Sequence, residues 1–279
     1  MPELPEVEMA RRLAERVARH RTITAIRAVA DPLVFERASA SRLRRALVGR
    51  RVLAVGRYGK HFWLELDRRP WPVFHFGMTG GLYAPDDRGL HLVSEGGRAS
   101  QPGWPPRFTK LVMVLDDGGQ LAFADARRLG RVRLRRDPRR EPPVSRLGFD
   151  ALDALPGPSA FAKLLGERAA PVKAVLLDQS FAAGVGNWIA DEVLYQARID
   201  PRRSARTLSA GEASRLRRAL RAVVGSAVRA GADGDRLPRS WLFHVRWERR
   251  ADLLTLRGER LRRDTIGGRT TVWAPARQR

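Results

Sequence analysis

The first residues of the chain carry groups that can perform covalent chemistry on a carbonyl carbon. Pro2 follows Met1, which we expect to be removed because the second residue is small, leaving a free secondary amine. An α-amino group titrates at about pH 8 and lysine above about 10, so roughly a hundredfold more of the amine is an unprotonated nucleophile at neutral pH. Its attack on a sugar carbon gives an iminium, an electron sink for eliminating phosphates. Glu3 can move the protons. The sequence therefore predicts Pro2 as nucleophile and Glu3 as acid–base.

Two residues at a chain end are weak evidence by themselves. The alternative is that they only begin a helix. In that case Glu3, Glu6 and Glu8 would be favourable because they lie near the positive end of the helix dipole.

Residue types suited to phosphate binding lie further along the chain. Lys60 stands at the end of a predicted strand, and His75 lies within an aromatic strand. Asn187 follows Gly184 and Gly186 and begins a helix, whose free amides favour an anion. The alternatives are a solvated surface lysine for Lys60 and a core histidine for His75.

The charge balance points to a polyanionic partner. The 279 residues contain 53 Lys and Arg against 30 Asp and Glu, a net charge of +23. Self-repulsion of that size favours nucleic acid as the partner. An anionic membrane surface ranks second, because no basic amphipathic helix with a broad apolar face is present. A compositional bias towards arginine contributes, but it does not explain the excess over acids.

Cysteine is absent, which excludes disulfides and thiolate zinc sites. The five histidines include no pair at i,i+4 spacing and no acidic cluster accompanies them, so we expect neither a metal nor a cofactor. The first residues are acidic and lack an apolar stretch, so we expect no signal peptide. No apolar run approaches the roughly 18 residues that span a membrane. We expect a cytoplasmic, nucleoid-associated protein.

These candidate residues need elements to position them, and the first half of the chain predicts one helix followed mostly by strands. The helix is expected to begin at Pro5 and to bury a stripe of apolar residues at helical spacing. Short runs rich in Val, Phe and Leu between turn residues predict strands at 23–29, 52–55, 61–66, 73–76, 111–115, 121–124 and 132–134. A second helix is expected at 41–48, and a long loop at 85–107.

The second half changes in composition. Charge and proline between residues 136 and 158 predict a linker between domains. Beyond it we expect helices about Val172 and Ala190, tight turns at 184–187, and a helix at 210–229. Strands at 261–266 and 269–273 flank two glycines and predict a hairpin. The predicted domains are 1–135, 159–239 and 240–279. The predicted fold class is α+β: an N-terminal helix with an antiparallel β-sandwich, then a helical helix–two-turns–helix domain ending in a zincless β-hairpin.

Five blocks in order resemble one family along residues 2 to 187. The opening string MPELPEVE resembles the start of the formamidopyrimidine-DNA glycosylase/endonuclease VIII family. Residues 59–66 (GKHFWLEL) resemble its lysine-bearing strand, and 74–80 (FHFGMTG) its His-x-Gly-Met block. Residues 125–130 (DARRLG) resemble its Asp-Pro-Arg-Arg-Phe-Gly block, and 184–187 (GVGN) its helix–two-turns–helix element. The chain is therefore identified as a member of this family.

The resemblance implies roles for the candidate residues. Pro2 and Glu3 would be catalytic together with Lys60, and Lys60, His75 and Asn187 would hold phosphates around a lesion. A flipped base leaves a gap in the stack that side chains must fill.

In the family a Met, an Arg and a Phe fill that gap. Met78 and Arg127 match the first two, and Leu129 stands in place of the Phe. Leucine can still separate bases as an apolar wedge, but it stacks on none. Without the resemblance, Met78 is a core gap-filler.

The C-terminal residues resemble the zincless hairpin of plant and fungal members. Residues 265–275 and the preceding 241–247 carry the likeness. Arg269 would then be the phosphate-gripping tip, held by packing rather than metal. The alternative is a generic hairpin with an exposed arginine.

The resemblance also implies a lesion pocket. The resemblance places Glu6 and Lys173 there, although a surface role for Lys173 is an equal alternative. Residues 231–239 are expected to form the loop over the flipped base. Zincless relatives favour ring-opened purines and hydantoins, and the prediction follows them.

The complete prediction is a monomeric bifunctional DNA glycosylase/AP lyase that acts on damaged double-stranded DNA, held in a cleft between two domains. It would use a Pro2 Schiff base with β,δ-elimination and no cofactor. The alternative within the family is a member that binds lesions or distorted DNA without cutting. An RNA-binding protein that reuses the helix–two-turns–helix is a third possibility.

Overall fold

The computed structural model describes residues 2–36, 38–85, 103–248 and 252–279. The chain divides into two compact units, Met1–Arg146 and Leu147–Arg279. The boundary falls within the segment 136–158 that was predicted as a linker, and the predicted loop at 85–107 lies largely outside the described residues. The division of the second half into domains 159–239 and 240–279 stays a prediction.

The first unit begins with helix α1 (Leu4–Ala18). Glu3 caps it with extended backbone, and its N–H donates to Glu6 Oε2 at 3.0 Å, which satisfies one main-chain donor that the helix leaves free. Ala10, Leu13 and Ala14 are buried along one face. The predicted start at Pro5 is therefore one residue late.

Eight strands and a second helix follow α1 in the described part of this unit. They are β1 (Ile23–Ala28), α2 (Ala40–Leu47), β2 (Val52–Tyr58), β3 (His61–Leu66), β4 (Trp71–His75), β5 (Gly81–Tyr83), β6 (Thr109–Leu115), β7 (Gln120–Ala124) and β8 (Arg131–Arg135). Seven coincide with predicted strands within a few residues. β5 was not predicted, because three residues that include a glycine carry too little alternation to be recognised.

The strands form two four-stranded sheets of antiparallel pairs, in the orders β1-β6-β7-β5 and β2-β3-β4-β8. Aromatic rings from both sheets meet in the core. Phe74 of β4 lies 6.1 Å from Phe123 of β7 between ring centroids, and Phe76 lies 6.2 Å from Phe123. The predicted α+β fold with its antiparallel sandwich is confirmed.

The second unit is mainly helical. Its described elements are β9 (Phe149–Asp150), α3 (Pro158–Gly166), α4 (Val172–Leu177), β10 (Ala182–Ala183), α5 (Asn187–Ala197), α6 (Ala210–Arg229), β11 (Arg262–Ile266) and β12 (Arg269–Trp273). α6 has the predicted bounds, because Ser209 and Glu212 form a capping box at its start. α3 was not predicted. No helix in the described ranges is both long and apolar enough to cross a membrane.

The predicted hairpin is formed by β11 and β12. Gly267 and Gly268 both have positive φ, +60° and +71°, the geometry that favours glycine in a tight two-residue turn. A Cβ on Gly267 would lie 2.8 Å from the Cβ of Ala174 in α4, so the turn also packs closely against that helix. A small apolar cluster supports the base of the hairpin; its buried members are Tyr195, Leu242, Leu253, Leu261, Val272 and Ala274.

Candidate functional site

The N-terminus of α1 brings Pro2 together with two carboxyl groups. Pro2 is buried, Glu3 is 2% exposed, and Glu6 is buried one turn further on. Burial, and then the neighbouring Glu3, raise the pKa of Glu6 to about 7. A carboxyl group with that pKa can both give and accept a proton at neutral pH.

A buried ion pair connects α1 with the turn that carries Lys60. Arg57 of β2 donates from Nε to Glu8 Oε2 at 3.1 Å and from Nη1 to the carbonyl oxygen of Gly59 at 3.1 Å. Burial alone would raise the pKa of Glu8, but the guanidinium groups of Arg11, Arg12 and Arg57 lower it. The Glu8 carboxylate is therefore charged at neutral pH and fixes the turn to the helix.

Lys60 occupies the second position of that turn, because β2 ends at Tyr58 and β3 begins at His61. Gly59 before it has a φ of +56°, which favours glycine. The turn places the lysine at the end of the hairpin, as the sequence predicted.

His75 is a neutral donor in this structure. Its ring stacks on that of His61, the residue opposite on β3, with centroids 4.7 Å apart. Burial lowers the pKa of His75 to about 4, with further lowering by Arg133 and Lys60. Nδ1 accepts from the Gly77 N–H at 3.2 Å, so Nε2 carries the single proton at neutral pH. The ring is half-buried rather than enclosed in the core.

One buried aspartate holds both loops that carry the predicted wedge residues. Asp125 Oδ1 accepts from the Thr79 hydroxyl at 2.7 Å and from the Arg127 N–H at 3.2 Å. Its Oδ2 accepts from the Gly130 N–H at 2.6 Å. Thr79 follows Met78, so the carboxylate joins the Met78 loop to the loop of residues 125–130.

The two loops also touch through their backbones. A Cβ on Gly77 would lie 2.5 Å from the carbonyl carbon of Leu129, and its φ is +61°. Arg127 is exposed, and Leu129 is 42% exposed. An apolar side chain and a cation therefore stand out from a loop that its own base holds rigid.

The residue between them is tied back to the sheet. Arg128 has a φ of +57° and donates two hydrogen bonds to Asp31, at 2.9 and 3.0 Å. Lys110 also pairs with Asp31, at 3.2 Å. Burial opposes ionisation of Asp31, but these cations, chiefly Arg128, lower its pKa to about 2.

In the second unit, Asn187 and Arg269 are brought together. Asn187 begins α5, and its Nδ2 donates to the carbonyl oxygen of Thr270 at 2.9 Å. Arg269 directly precedes Thr270 and is exposed at the start of β12. A helix N-terminus and an exposed cation at one place form a suitable contact for phosphate.

Lys173 has no exposed surface, so the surface alternative is wrong. Its ammonium group donates to the carbonyl oxygen of Asn187 at 3.0 Å and forms an ion pair with Asp191. Its contact with a lesion stays a prediction.

The predicted residues are divided between the two units. Pro2, Glu3, Glu6, Lys60, His75, Met78, Arg127 and Leu129 lie in the first unit, and Lys173, Asn187 and Arg269 in the second.

Sequence reasoning missed the residues that hold these groups in place: Asp125, Arg57 and Asp191. Asp125 could have been recognised as an acid at the head of a loop of cations. The other two carried no signal, because their partners are distant in the sequence.

Within the described residues, no group of three or more His, Cys, Asp and Glu side chains could hold a metal ion.

Comparisons with known proteins point to one family. The profile of the formamidopyrimidine-DNA glycosylase N-terminal domain matches residues 1–132, and that of the formamidopyrimidine-DNA glycosylase H2TH domain matches residues 147–238. The formamidopyrimidine-DNA glycosylase of Arabidopsis thaliana is 38% identical over 281 residues, covering 100% of this chain and 71% of the relative. That of Thermus thermophilus is 39% identical over 236 residues, covering 83% of this chain and 77% of the relative.

Solved structures have the same fold. The crystal structure of the MutM (Fpg) protein from Thermus thermophilus superposes with a TM-score of 0.77 at 36% identity, over 99% of this chain and 98% of that one. A Lactococcus lactis FPG mutant in complex with DNA containing Fapy-dG has a TM-score of 0.81 at 24% identity, with full coverage of both chains. The second likeness concerns the fold alone.

Proposed function

The chain belongs to the formamidopyrimidine-DNA glycosylase family, and from that premise we propose that it excises ring-opened purines or hydantoins from duplex DNA through a Schiff base on Pro2. It is a DNA glycosylase of base excision repair. The observation that carries the proposal is the arrangement at the start of α1, where Pro2 adjoins the buried carboxyls of Glu3 and Glu6. The name of the Arabidopsis thaliana relative, a formamidopyrimidine-DNA glycosylase 38% identical over the whole of this chain, supports the choice of ring-opened purines.

In the proposed reaction the unprotonated Pro2 nitrogen attacks C1′ of the damaged nucleotide. The bond between C1′ and the base breaks, and the base leaves with the electron pair and takes up a proton. Glu3 protonates the sugar ring oxygen as the ring opens, giving the iminium. Loss of a C2′ proton then expels the 3′ phosphate, and a second elimination expels the 5′ phosphate. Water then hydrolyses the remaining iminium, which releases Pro2 as the free amine and the sugar remnant as an unsaturated aldehyde.

Cations and helix ends would hold the DNA during these steps. We assign phosphate contacts to Lys60 and His75 in the first unit, and to Asn187 and Arg269 in the second. His75 would serve as a neutral hydrogen-bond donor, since burial lowers its pKa to about 4. Such contacts fix the position of the duplex and carry no base preference.

The loops anchored by Asp125 would fill the gap left by the flipped base. Met78, Arg127 and Leu129 are assigned to this role. Their rigid support and the exposure of Leu129 favour insertion of an apolar wedge. Glu6 and Lys173 remain the proposed residues of the lesion pocket.

The test uses duplexes that carry a ring-opened guanine or 8-oxoguanine, with wild-type protein and Glu3→Gln. The wild type should release the ring-opened base faster than 8-oxoguanine. In Glu3→Gln, release should fall by about 10²–10⁴-fold, because a general acid–base is lost, while the circular dichroism spectrum stays unchanged. Undiminished release by a folded Glu3→Gln would refute the role of Glu3.

The second candidate function is binding to lesions or distorted duplexes without excision. Leu129 in the place of a stacking phenylalanine is the observation that favours it. It predicts tight binding of the damaged duplexes with no base released by the wild type.

We further propose that the enzyme acts as a monomer without a metal. We propose a cytoplasmic, nucleoid-associated location, where its DNA substrate is found.

A further inference from the structure

Asp191 lies at the centre of a buried charge cluster, and the proposed reaction assigns this residue no role. Its carboxylate is fully enclosed on α5. Oδ1 forms the ion pair with Lys173 of α4, and Oδ2 accepts from Nη2 of Arg246 at 2.6 Å. Arg246 is itself buried, and its guanidinium lies 4.3 Å from the ring centroid of Trp247. The cluster places one anion between two cations and carries one net positive charge.

The same carboxylate reaches the hairpin. Asp191 Oδ2 also lies 3.3 Å from the Val272 N–H of β12, which donates to it. One turn earlier on α5, Asn187 Nδ2 donates to the carbonyl oxygen of Thr270. Residues two apart on a strand direct their main-chain groups to the same edge. One edge of β12 is therefore bound to α5 by two side chains of that helix.

The remaining members of the cluster fix the hairpin from other sides. Arg263 of β11 donates to the carbonyl oxygen of Arg246 at 2.8 Å, so the segment held by Asp191 also touches the partner strand. Lys173 donates to the carbonyl oxygen of Asn187. The turn at Gly267 packs on Ala174, the residue after Lys173.

We infer that Asp191 is a positioning residue for DNA binding: its carboxylate sets the place of the hairpin, and with it the Arg269 phosphate contact, relative to Asn187. The inference rests on the proposed function, in which Arg269 and Asn187 hold phosphate. The hairpin has no cysteine with which to bind zinc, and in this inference the buried ion cluster orients it instead. A buried carboxylate can hold the hairpin because any movement that separates it from its partners would leave buried charges unpaired, which is costly.

The inference also gives Lys173 a role besides its proposed contact with the lesion. Its ammonium group binds the carbonyl oxygen of Asn187 and pairs with Asp191. Lys173 therefore helps to position the two residues on which the proposed phosphate contact depends. Arg246 balances the other carboxylate oxygen. Both cations therefore act through Asp191.

The test is a double-mutant cycle between Asp191→Asn and Arg269→Ala. The probe is a duplex carrying a tetrahydrofuran abasic analogue, whose binding is measured by fluorescence anisotropy at several salt concentrations. Arg269→Ala should weaken binding about tenfold and reduce the slope of log K against log salt by about 1, as expected for one phosphate contact. Asp191→Asn should do the same, and the double variant should lose no more than either single variant.

Glu212→Gln is the matched control. Glu212 is a carboxylate of the same unit that pairs with Arg203 and caps α6. It loses the same charge and should leave the affinity and the salt slope unchanged. At saturating DNA, Asp191→Asn should still cut a natural abasic site within a few-fold of the wild-type rate, so that KM rises while kcat is retained.

The two possible failures are distinguishable. Wild-type binding by Arg269→Ala would refute the proposed phosphate contact itself. A weakened Arg269→Ala with additive losses in the double variant, or an unchanged Asp191→Asn, would refute the inference alone. If Asp191→Asn does not fold, the variant Lys173→Met/Asp191→Asn, which keeps the net charge of the cluster, is measured in its place. Adding Arg269→Ala to this variant should then cause no further loss of affinity for the duplex.

Discussion

Glu6 illustrates how burial sets the proton state of a single residue beside the proposed nucleophile. Its pKa of about 7 lies above the ordinary value of 4.5, so the folded protein holds this proton more tightly than the unfolded chain does. Between about pH 4.5 and 7 the folded state binds more protons, and stability must fall as the pH rises through this range. The difference amounts to roughly 3 kcal/mol.

Glu6→Gln should remove this loss, because glutamine cannot ionise and its oxygen can still accept from the Glu3 N–H. Urea unfolding at pH 5 and pH 8 measures the effect. Glu192→Gln is the matched control, since burial also raises the pKa of Glu192 to about 7 in the other unit. In both variants the free energy of unfolding should depend less on pH, but only Glu6→Gln should change the pH dependence of strand cleavage. If the free energy of unfolding of Glu6→Gln falls between pH 5 and pH 8 as much as that of the wild type, the assigned proton state is contradicted.

His75 gives the opposite case, a base held neutral. Burial and then Arg133, Lys60 and Arg131 lower its pKa to about 4, so it gains no charge between pH 8 and pH 6. Its contribution to DNA affinity should therefore be constant over that range at fixed ionic strength. His75→Gln, which keeps a neutral N–H donor, should bind within a few-fold of the wild type, whereas His75→Ala should lose about tenfold. Affinity that rises towards pH 6 in the wild type but not in His75→Gln would show a cationic histidine instead.

At this scale the sequence could propose reactive residues but not their environments. Pro2 and Glu3 are proposed from residue type, position and the opening string, and Lys60 from the resemblance of residues 59–66. The neutral state of His75 and the enclosed ammonium of Lys173 depend on residues 14 or more positions away, such as His61 and Asp191. Tertiary packing decides these, and no local pattern contains it.

At the scale of elements, Asp125 joins two loops into one rigid support. Three hydrogen bonds to a buried carboxylate are costly to lose, because an amide in its place would face an N–H donor with its own N–H. In the proposed function these loops carry the wedge residues Met78, Arg127 and Leu129, which are needed only when a stacked base has to be displaced.

Asp125→Asn should therefore slow release of an intact ring-opened base at least tenfold, with little change in cutting at a preformed abasic site. Thr79→Val removes one of the three bonds and should give an intermediate loss. Single-turnover rates on the two substrates measure the effect. Equal losses on both would mean that Asp125 supports the whole site rather than the wedge loops.

Elements with strong local signals could be predicted, and short ones could not. α6 has its capping box and a long apolar stripe, and the hairpin has two adjacent glycines between strands. β5, β9 and β10 contain three residues or fewer. These strands exist because neighbouring strands supply their hydrogen bonds, which the sequence does not reveal.

At the scale of the whole molecule, a net charge of +23 favours a polyanion irrespective of sequence. Selectivity must then come from the site, because phosphate contacts alone bind any duplex. Each unit contributes a set of proposed DNA contacts. The first unit also carries the proposed nucleophile Pro2, and the second carries the hairpin of β11 and β12.

The hairpin should fold without a metal, because the apolar cluster and Asp191 hold it. Overnight treatment with EDTA followed by dialysis should leave the melting temperature and the cleavage rate unchanged. A lowered melting temperature that zinc restores would contradict a metal-independent hairpin.

The central claim is that the Pro2 nitrogen forms the covalent intermediate, and sodium borohydride trapping tests it most directly. After mass spectrometry confirms that Met1 is lost, wild-type protein and Pro2→Gly are incubated with a duplex that carries an abasic site. The reductant converts the iminium to a stable crosslink, which peptide mapping should place on Pro2. Pro2→Gly keeps a free amine and should trap weakly. A processed wild-type protein that binds the duplex without crosslinking, or that crosslinks through a lysine, would contradict the account.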